Sequence, residues 1–240
     1  MTKEPLRIFS FKPAGDWRKD LLENWPSDWP RKENHVIQHD VTVEQYRLFA
    51  NLVNGKASER EIEKHFRESR EVLSLAVWMF STGHHMSWIF PKAQIRPSSS
   101  SGGGLIPDYL MAGAGSYGVR WFVLELKGAD KCAFKKIGKR VSLSADANEG
   151  VCQLLNYMDL SSRDQAYLRD GLGLTGFREP QGVLLIGTDD ETDDPQVRDF
   201  KSAWNRINSK VQIRSYSSLL RQVEGKLKDF KKFGNPDRSG

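Results

Sequence analysis

The stretch Trp121-Phe-Val-Leu-Glu-Leu-Lys127 decides the fold, because it is apolar enough for a central, buried strand but carries two charges. Side chains on a strand alternate between its two faces, so Glu125 and Lys127 lie on the same face. An unpaired buried charge is costly, and a strand normally carries one only where the charge has something to bind. We therefore expect Glu125 and Lys127 to point into a binding site.

A second acidic residue, Asp108, ends a neighbouring apolar run and lies 125 − 108 = 17 residues before Glu125. That separation fits two adjacent strands joined by the glycine-rich stretch 113–118, so the two carboxylates and the Lys127 ammonium converge. Mg²⁺ prefers hard oxygen ligands, usually one or two carboxylates with waters and a substrate phosphate. The sequence therefore predicts a metal ion on Asp108 and Glu125 that activates water, with Lys127 assisting at a phosphate. The backbone carbonyl of Leu126 is a further candidate ligand.

A predicted helix that begins near residue 146 adds a polar stripe to the site. Its apolar face is formed by Val151, Leu154, Leu155 and Met158. Gln153 and Tyr157 are four residues apart, so both lie on one stripe beside that face. A helix packed on the sheet in this way would point Gln153 at the metal-bound waters or at the phosphate backbone.

These elements together resemble the PD-(D/E)xK nuclease superfamily. The matching residues are Pro107-Asp108, then Glu125-Leu-Lys127, then Gln153-Leu-Leu-Asn-Tyr157. The Gln-x-x-x-Tyr element is similar to that of the RecB-type branch. The later stretches resemble the C-terminal domain of Shedu antiphage-defence proteins. These stretches are Gly182-Val-Leu-Leu-Ile-Gly187, Arg206-Ile-Asn208 and a segment from Val211 that ends in Tyr216-Ser-Ser-Leu-Leu220. The resemblance spans roughly residues 58–228.

The resemblance implies an α/β fold, a restriction-endonuclease-like core with a mixed central sheet flanked by helices. It implies a Mg²⁺-dependent DNA endonuclease of bacterial antiphage defence, with Mn²⁺ as a substitute ion, that assembles as a homodimer or homotetramer. The catalytic residues that it implies are Asp108, Glu125, Lys127 and Gln153, and the metal ligands are Asp108 and Glu125. Glu59 matches a helix glutamate of the superfamily, but Glu59 also suits the first turn of a helix by itself.

Composition restricts the class of protein without deciding its function. The 240 residues fit one domain with a small additional module. The net charge of +5 permits nucleic-acid binding and equally fits a solvated basic surface. Cys132 and Cys152 have no spacing typical of a zinc site or a disulfide framework, so we expect free thiols. Without a signal segment or an apolar run of about 18 residues, we expect a cytoplasmic protein with no membrane span.

The chain divides into a small N-terminal module of unknown role (residues 1–40), the nuclease domain (residues 41–232) and a flexible tail (residues 233–240). The N-terminal module is expected to contain a strand at residues 6–11 and tryptophans that pack onto the main domain. Residues 98–104, four serines followed by three glycines, are expected to form a flexible loop.

Several local features are predicted from capping and charge patterns. Thr42 and Ser58 each begin a helix with a capping box. Asp146 is the expected cap of the helix that carries Gln153, with Glu149 reaching back to it. Residues 131–140 are expected to form a basic loop that contacts phosphates or is merely solvated. Residues 189–194 are expected to form a solvated acidic loop.

The sequence leaves two alternatives to catalysis open. The chain could be a nuclease-fold module that binds or senses DNA with little turnover. It could also be a structural subunit of a larger defence complex. The intact set of Asp108, Glu125 and Lys127 favours catalysis, because a site that has lost its activity usually loses one of its members.

Overall fold

A six-stranded mixed sheet forms the centre of the fold. The computed structural model describes residues 23–36, 41–79, 86–95, 105–115 and 118–233. The strands in chain order are β1 (His35–Val36), β2 (Met86–Pro91), β3 (Tyr109–Gly115), β4 (Gly118–Leu126), β5 (Phe134–Ile137), β6 (Arg140–Leu143), β7 (Gln181–Leu185) and β8 (Val211–Arg214). The sheet order is β1-β2-β3-β4-β7-β8, and β5 and β6 form a separate two-stranded hairpin. Strands β1 to β4 are antiparallel neighbours, whereas β4, β7 and β8 are parallel, so the predicted α/β fold with a mixed sheet is confirmed.

Helices cover both faces of this sheet. They are α1 (Val43–Asn54), α2 (Glu59–Phe66), α3 (Arg70–Leu73), α4 (Ala145–Arg163), α5 (Pro195–Ile207) and α6 (Tyr216–Phe233). Helices α1, α2 and α6 enclose one hydrophobic core against the sheet, and α4 and α5 contribute to a second core on the opposite face. Strand β4 is buried on both faces from Trp121 to Leu126, as its apolar sequence predicts for a central strand.

Capping explains where the helices begin. The Thr42 hydroxyl accepts a hydrogen bond from the Gln45 amide, and the Gln45 side chain accepts one from the Thr42 amide, as predicted. The prediction for α4 is wrong, because Ser144 and not Asp146 is its cap. The hydroxyl of Ser144 accepts from the Ala147 amide at 3.0 Å. Ser144 has the extended backbone that a cap residue needs, whereas Asp146 already lies in the first helical turn.

The acidic run after β7 differs from the predicted solvated loop. Residues Asp189–Asp193 form a 3-10 turn, and Asp189 is half-buried between β7 and α6. Its carboxylate pairs with Lys201 and Arg221 and accepts a hydrogen bond from Ser215. Partial burial opposes ionisation, but these three partners together lower the pKa of Asp189 to about 2. Asp189 therefore holds the start of α6 at the end of β7.

The described part of the N-terminal segment packs onto the sheet. The rings of Trp25 and Trp29 make edge-on contacts with Trp88 of β2, with centroids 6.1 and 5.4 Å away, which confirms the predicted packing of these tryptophans. Strand β1 joins the sheet beside β2. The expected strand at residues 6–11, the expected loop at residues 98–104 and residues 234–240 of the expected tail lie outside the described residues. Cys132 and Cys152 are both exposed, and they form no disulfide with each other, as predicted.

None of the helices in the described ranges has both the length and the apolar content that crossing a membrane requires.

Candidate active site

Strands β3 and β4 bring Asp108 and Glu125 together. Tyr109 pairs with Leu124 in the antiparallel register, so Asp108, one residue earlier, lies across from Glu125. Both carboxylates belong to the sheet face that carries α4, since they alternate with Tyr109 and Leu124 of the opposite core. The 17-residue separation in sequence thus becomes direct adjacency at one end of the sheet.

The Asp108 carboxylate is held from two sides. Its Oδ2 accepts a hydrogen bond from the Leu126 amide at 2.8 Å, which fixes its orientation beside β4. Its Oδ1 accepts from the Lys92 ammonium at 2.5 Å, and the same ammonium lies 2.8 Å from Glu63 of α2. Lys92 therefore joins the end of β2 to α2 across the Asp108 carboxylate.

The Glu125 side chain is only 4% exposed and is incompletely paired. Its Oε1 lies 3.3 Å from the Lys127 ammonium, whereas its buried Oε2 has no hydrogen-bond partner among the described residues. Burial is the main reason that the pKa of Glu125 rises to about 7, and the neighbouring Asp108 charge adds to the rise. Lys127 opposes the rise without cancelling it. A buried carboxylate with an unsatisfied oxygen is the kind of group that a cation would stabilise.

Lys127 is positioned by its backbone rather than by its ammonium. Its amide donates to the carbonyl of Leu185 at 2.8 Å, and its carbonyl accepts from the hydroxyl of the fully buried Tyr216 at 2.7 Å. Its ammonium lies 3.3 Å from Glu125 and 3.8 Å from Glu59. Partial desolvation lowers the pKa of Lys127, but these carboxylates outweigh it and the net shift is upward. The ammonium is therefore charged and held at the end of β4.

Helix α4 faces the site along the predicted stripe. The charge of Glu149 acts on Lys127. Burial raises the pKa of Tyr157 to about 12, and the charges of Glu125 and Asp108 add to the rise. Gln153 lies between Glu149 and Tyr157 on this stripe, one turn from each. Its Oε1 is buried and finds no hydrogen-bond partner within the described ranges.

A close approach of α4 to the sheet makes this arrangement possible. A side chain at Gly150 would bring its Cβ within 2.6 Å of Leu184 on β7, so glycine lets the helix backbone lie against the strand. The prediction that Leu155 belongs to the apolar face is wrong, because Leu155 is 52% exposed.

Helix α2 contributes two glutamates to the surroundings of the site. Glu59, which the sequence matched to the superfamily's helix glutamate, approaches Lys127 as described and is half-exposed. Burial raises the pKa of Glu59 most, and its neighbours Asp108 and Glu63 add to this rise. Glu63 and Lys92 were not found by sequence reasoning. The four-residue spacing from Glu59 to Glu63 was a usable signal, whereas nothing in the sequence marks Lys92.

The donor set fits a magnesium ion with two protein carboxylates. Within the described ranges, no group of three or more His, Cys, Asp and Glu side chains is arranged to hold a metal. Mg²⁺ commonly takes only one or two carboxylates and completes its octahedron with water and substrate oxygens. The Oε2 of Glu125, which has no hydrogen-bond partner among the described residues, would supply a buried ligand, while Asp108 would exchange its Lys92 contact for the ion.

The fold and the site define a class: an α/β protein whose mixed sheet presents two buried carboxylates and a lysine at one end. Residues 56–220, well over half of the chain, match the family model described as Shedu protein SduA, C-terminal. The chain therefore belongs to the family of the Shedu SduA C-terminal domain, which confirms the resemblance to Shedu proteins found in the sequence. Membership of this family implies a role in antiphage defence. No curated protein matches the chain.

The raised pKa of Glu125 predicts a pH-dependent stability in metal-free protein. The folded state binds the extra proton between pH 4.5 and about 7, so the contribution of this group to stability is full below pH 4.5 and is lost as pH rises through 7. Glutamine imitates the protonated carboxyl and removes this loss. In EDTA, Glu125→Gln should exceed wild type by roughly 2 to 3 kcal/mol in free energy of unfolding at pH 8, and match it near pH 4.5. Urea unfolding at both pH values measures the difference, and an equal difference at both would contradict this assignment.

Proposed function

We propose that this protein is a Mg²⁺-dependent DNA endonuclease of antiphage defence with a PD-(D/E)xK core. The observation that carries the proposal is the buried pair Asp108 and Glu125, in which one Glu125 oxygen has no partner in the described part of the chain and Lys127 stands beside it. Structural ion pairs do not usually leave a buried carboxylate oxygen unsatisfied. The homo-oligomer that the resemblance implies remains a prediction.

Each residue has a defined task in this proposal. Asp108 and Glu125 would hold the ion, which when bound polarises a phosphoryl oxygen and lowers the pKa of a coordinated water. Lys127, anchored by its backbone, donates a hydrogen bond to the phosphate and stabilises the negative charge that develops there. Gln153 offers its Oε1 to the attacking water and orients it. The Leu126 amide keeps the Asp108 carboxylate in place while this happens.

The function is tested by incubating supercoiled plasmid, linear duplex and single-stranded DNA with the full chain in Mg²⁺, Mn²⁺ or EDTA. We expect nicking or cleavage with either ion and none with EDTA, and activity should return when excess Mg²⁺ is added. Cleavage that persists in EDTA would contradict the proposal. DNA binding that weakens with salt but is never followed by cleavage would favour the alternative of a sensing module.

Lys92 gives a further prediction, because its ammonium occupies the Asp108 oxygen that faces away from the Leu126 amide. Removing this charge should favour the ion, since a cation and Lys92 compete for the same carboxylate. For Lys92→Met, the Mg²⁺ concentration at half-maximal cleavage should fall about fivefold, equivalent to about 1 kcal/mol. A magnesium titration of the cleavage rate measures this shift.

Lys56→Met is the matched control for this experiment. Lys56 and Lys92 both have left-handed backbone angles, φ 58° and 49°, and both ammonium groups pair with a carboxylate, that of Asp190 in the case of Lys56. Because Asp190 lies outside the proposed metal site, the control should leave the magnesium requirement unchanged. An identical shift in both variants would show that Lys92 does not compete with the ion.

A further inference from the structure

The hairpin formed by β5 and β6 is inserted between the two elements that carry the proposed site. It follows β4, which ends beside Lys127, and it precedes Ser144, the cap of α4. The amide of Ser144 donates to the carbonyl of Ala133 at 2.9 Å, which closes the base of the hairpin. The predicted basic loop at residues 131–140 is therefore largely an ordered two-stranded element attached directly to the site.

One face of the hairpin is docked on the protein. Phe134 is buried, and its ring packs edge-on against Phe200 of α5 with centroids 5.6 Å apart. Val141 and Leu143 join the same core. On this face Lys136 pairs with Asp194, the cap of α5, at 2.5 Å. These contacts fix the orientation of the hairpin relative to the body.

The opposite face is exposed and basic, and it carries an isoleucine. The register pairs Lys135 with Ser142 and Ile137 with Arg140, so these four alternate with the docked residues. Lys139 lies in the two-residue turn. In the part of the chain that the structure describes, Lys135, Lys139 and Arg140 have no carboxylate partner within 4.0 Å, in contrast to Lys136. Ile137, next to the turn, is 67% exposed.

The negative charge of the proposed site gives a reason for a basic DNA-binding surface outside the site. Asp108, Glu125, Glu59, Glu63 and Glu149 surround the reaction centre, and an acidic centre repels a polyanionic substrate. Cations that hold the phosphate backbone outside the centre would offset this repulsion. The hairpin is covalently joined to both β4 and α4, so the cations on its exposed face are suited to this task.

We propose that the exposed face of the β5–β6 hairpin docks on duplex DNA, with Lys135, Lys139 and Arg140 on phosphates and Ile137 in the minor groove. The proposal rests on the proposed function for the identity of the partner. Apolar side chains flanked by cations are used in this way by proteins that enter the minor groove. Positive charge suits any anionic partner, and the attachment of the hairpin to the proposed site favours DNA over an acidic protein or an anionic membrane.

The test measures DNA binding without cleavage. The full-length chain in EDTA is titrated into a fluorescent duplex at several salt concentrations. For the double variant Lys135→Gln/Arg140→Gln, the negative slope of log affinity against log salt should become shallower by about 1.8. The affinity near 0.1 M salt should fall at least about tenfold. The matched control is Arg47→Gln/Lys64→Gln, two exposed cations on α1 and α2, which cover the other face of the sheet. The control should retain the wild-type slope.

A separate variant tests the isoleucine. Ile137→Ser should weaken duplex binding several-fold at every salt concentration without changing the slope, since it removes an apolar contact and no charge. Unchanged affinity of this variant would overturn the groove contact. If the Lys135→Gln/Arg140→Gln variant loses binding to anionic lipid vesicles but binds DNA like wild type, DNA is not the partner of the hairpin.

The outcomes separate this inference from the proposed function. If wild type cleaves DNA but the Lys135→Gln/Arg140→Gln variant binds DNA as well as the control variant does, the hairpin proposal is overturned and the proposed nuclease function stands. Wild type that binds DNA through the hairpin but never cleaves it with Mg²⁺ would overturn the nuclease and leave the hairpin proposal intact.

Discussion

Glu125→Gln should lower Mg²⁺-dependent DNA cleavage by at least about 1,000-fold, which corresponds to about 4 kcal/mol of transition-state stabilisation. Glutamine keeps the shape of the side chain but removes the negative charge and one ion ligand. The protein should remain folded, because the buried Glu125 carboxylate is only partly paired and its neutral form is favoured by its surroundings. Single-turnover cleavage at several magnesium concentrations measures the loss.

Glu179→Gln is the control for this variant. Glu179 is exposed, and its carboxylate pairs with Lys210 at 3.5 Å, outside the proposed site. It should cleave DNA at the wild-type rate. A Glu125→Gln protein that unfolds with the stability expected above and still cleaves at the wild-type rate would remove Glu125 from the metal site.

Lys127→Met should lower the rate of the cleavage step by about 100- to 1,000-fold at saturating magnesium, the range observed when one charge-stabilising donor is removed. Methionine keeps most of the side-chain length, and the two backbone hydrogen bonds of Lys127 do not depend on the ammonium. Without the nearby ammonium, Glu125 and Glu59 attract the ion more strongly. The magnesium concentration at half-maximal rate should therefore stay constant or decrease while the maximal rate falls.

Lys131→Met provides the comparison, because Lys131 also lies in the segment between β4 and β5, but its ammonium pairs with Asp146 at 3.8 Å. It should retain a nearly wild-type maximal rate. Equal maximal rates for Lys127→Met and wild type would show that Lys127 has no part in the chemical step, and a higher magnesium requirement without a slower step would assign Lys127 a binding role only.

The sequence was most informative where one physical rule decides the outcome. Alternation along β4 placed Glu125 and Lys127 on one face, and the structure has this arrangement, with Leu124 and Leu126 in the opposite core. The four-residue spacing of Gln153 and Tyr157 likewise placed both residues on one stripe of α4. These features depend on local periodicity, which a sequence shows directly.

Features that depend on contacts between distant segments could not be predicted. Lys92 reaches Asp108 through a left-handed backbone conformation, and a lysine at this position does not predict that conformation. The hairpin was missed because Phe134-Lys-Lys-Ile137 is short and its alternation is obscured by adjacent lysines. The burial of Asp189 could not be predicted either, because its partners Lys201, Ser215 and Arg221 lie 12 to 32 residues later.

The structure also gives a physical reason for the Tyr216-Ser-Ser-Leu-Leu220 ending that pointed to the Shedu family. The Tyr216 hydroxyl holds the backbone carbonyl of Lys127, and Leu219 packs in the core below the sheet. Burial raises the pKa of Tyr216 most strongly, so its hydroxyl remains a hydrogen-bond donor. The C-terminal helix thus serves the proposed site indirectly, by fixing the residue that carries the ammonium.

We propose above all that Asp108 and Glu125 together hold a divalent cation. The most direct measurement is a Mn²⁺ titration followed by electron paramagnetic resonance in the presence of duplex DNA, with wild type compared with Asp108→Asn/Glu125→Gln. Wild type should remove Mn²⁺ from the free pool at a site that the double variant lacks, under conditions in which both proteins are folded and bind the DNA. Equal Mn²⁺ binding by wild type and the double variant would contradict the claim.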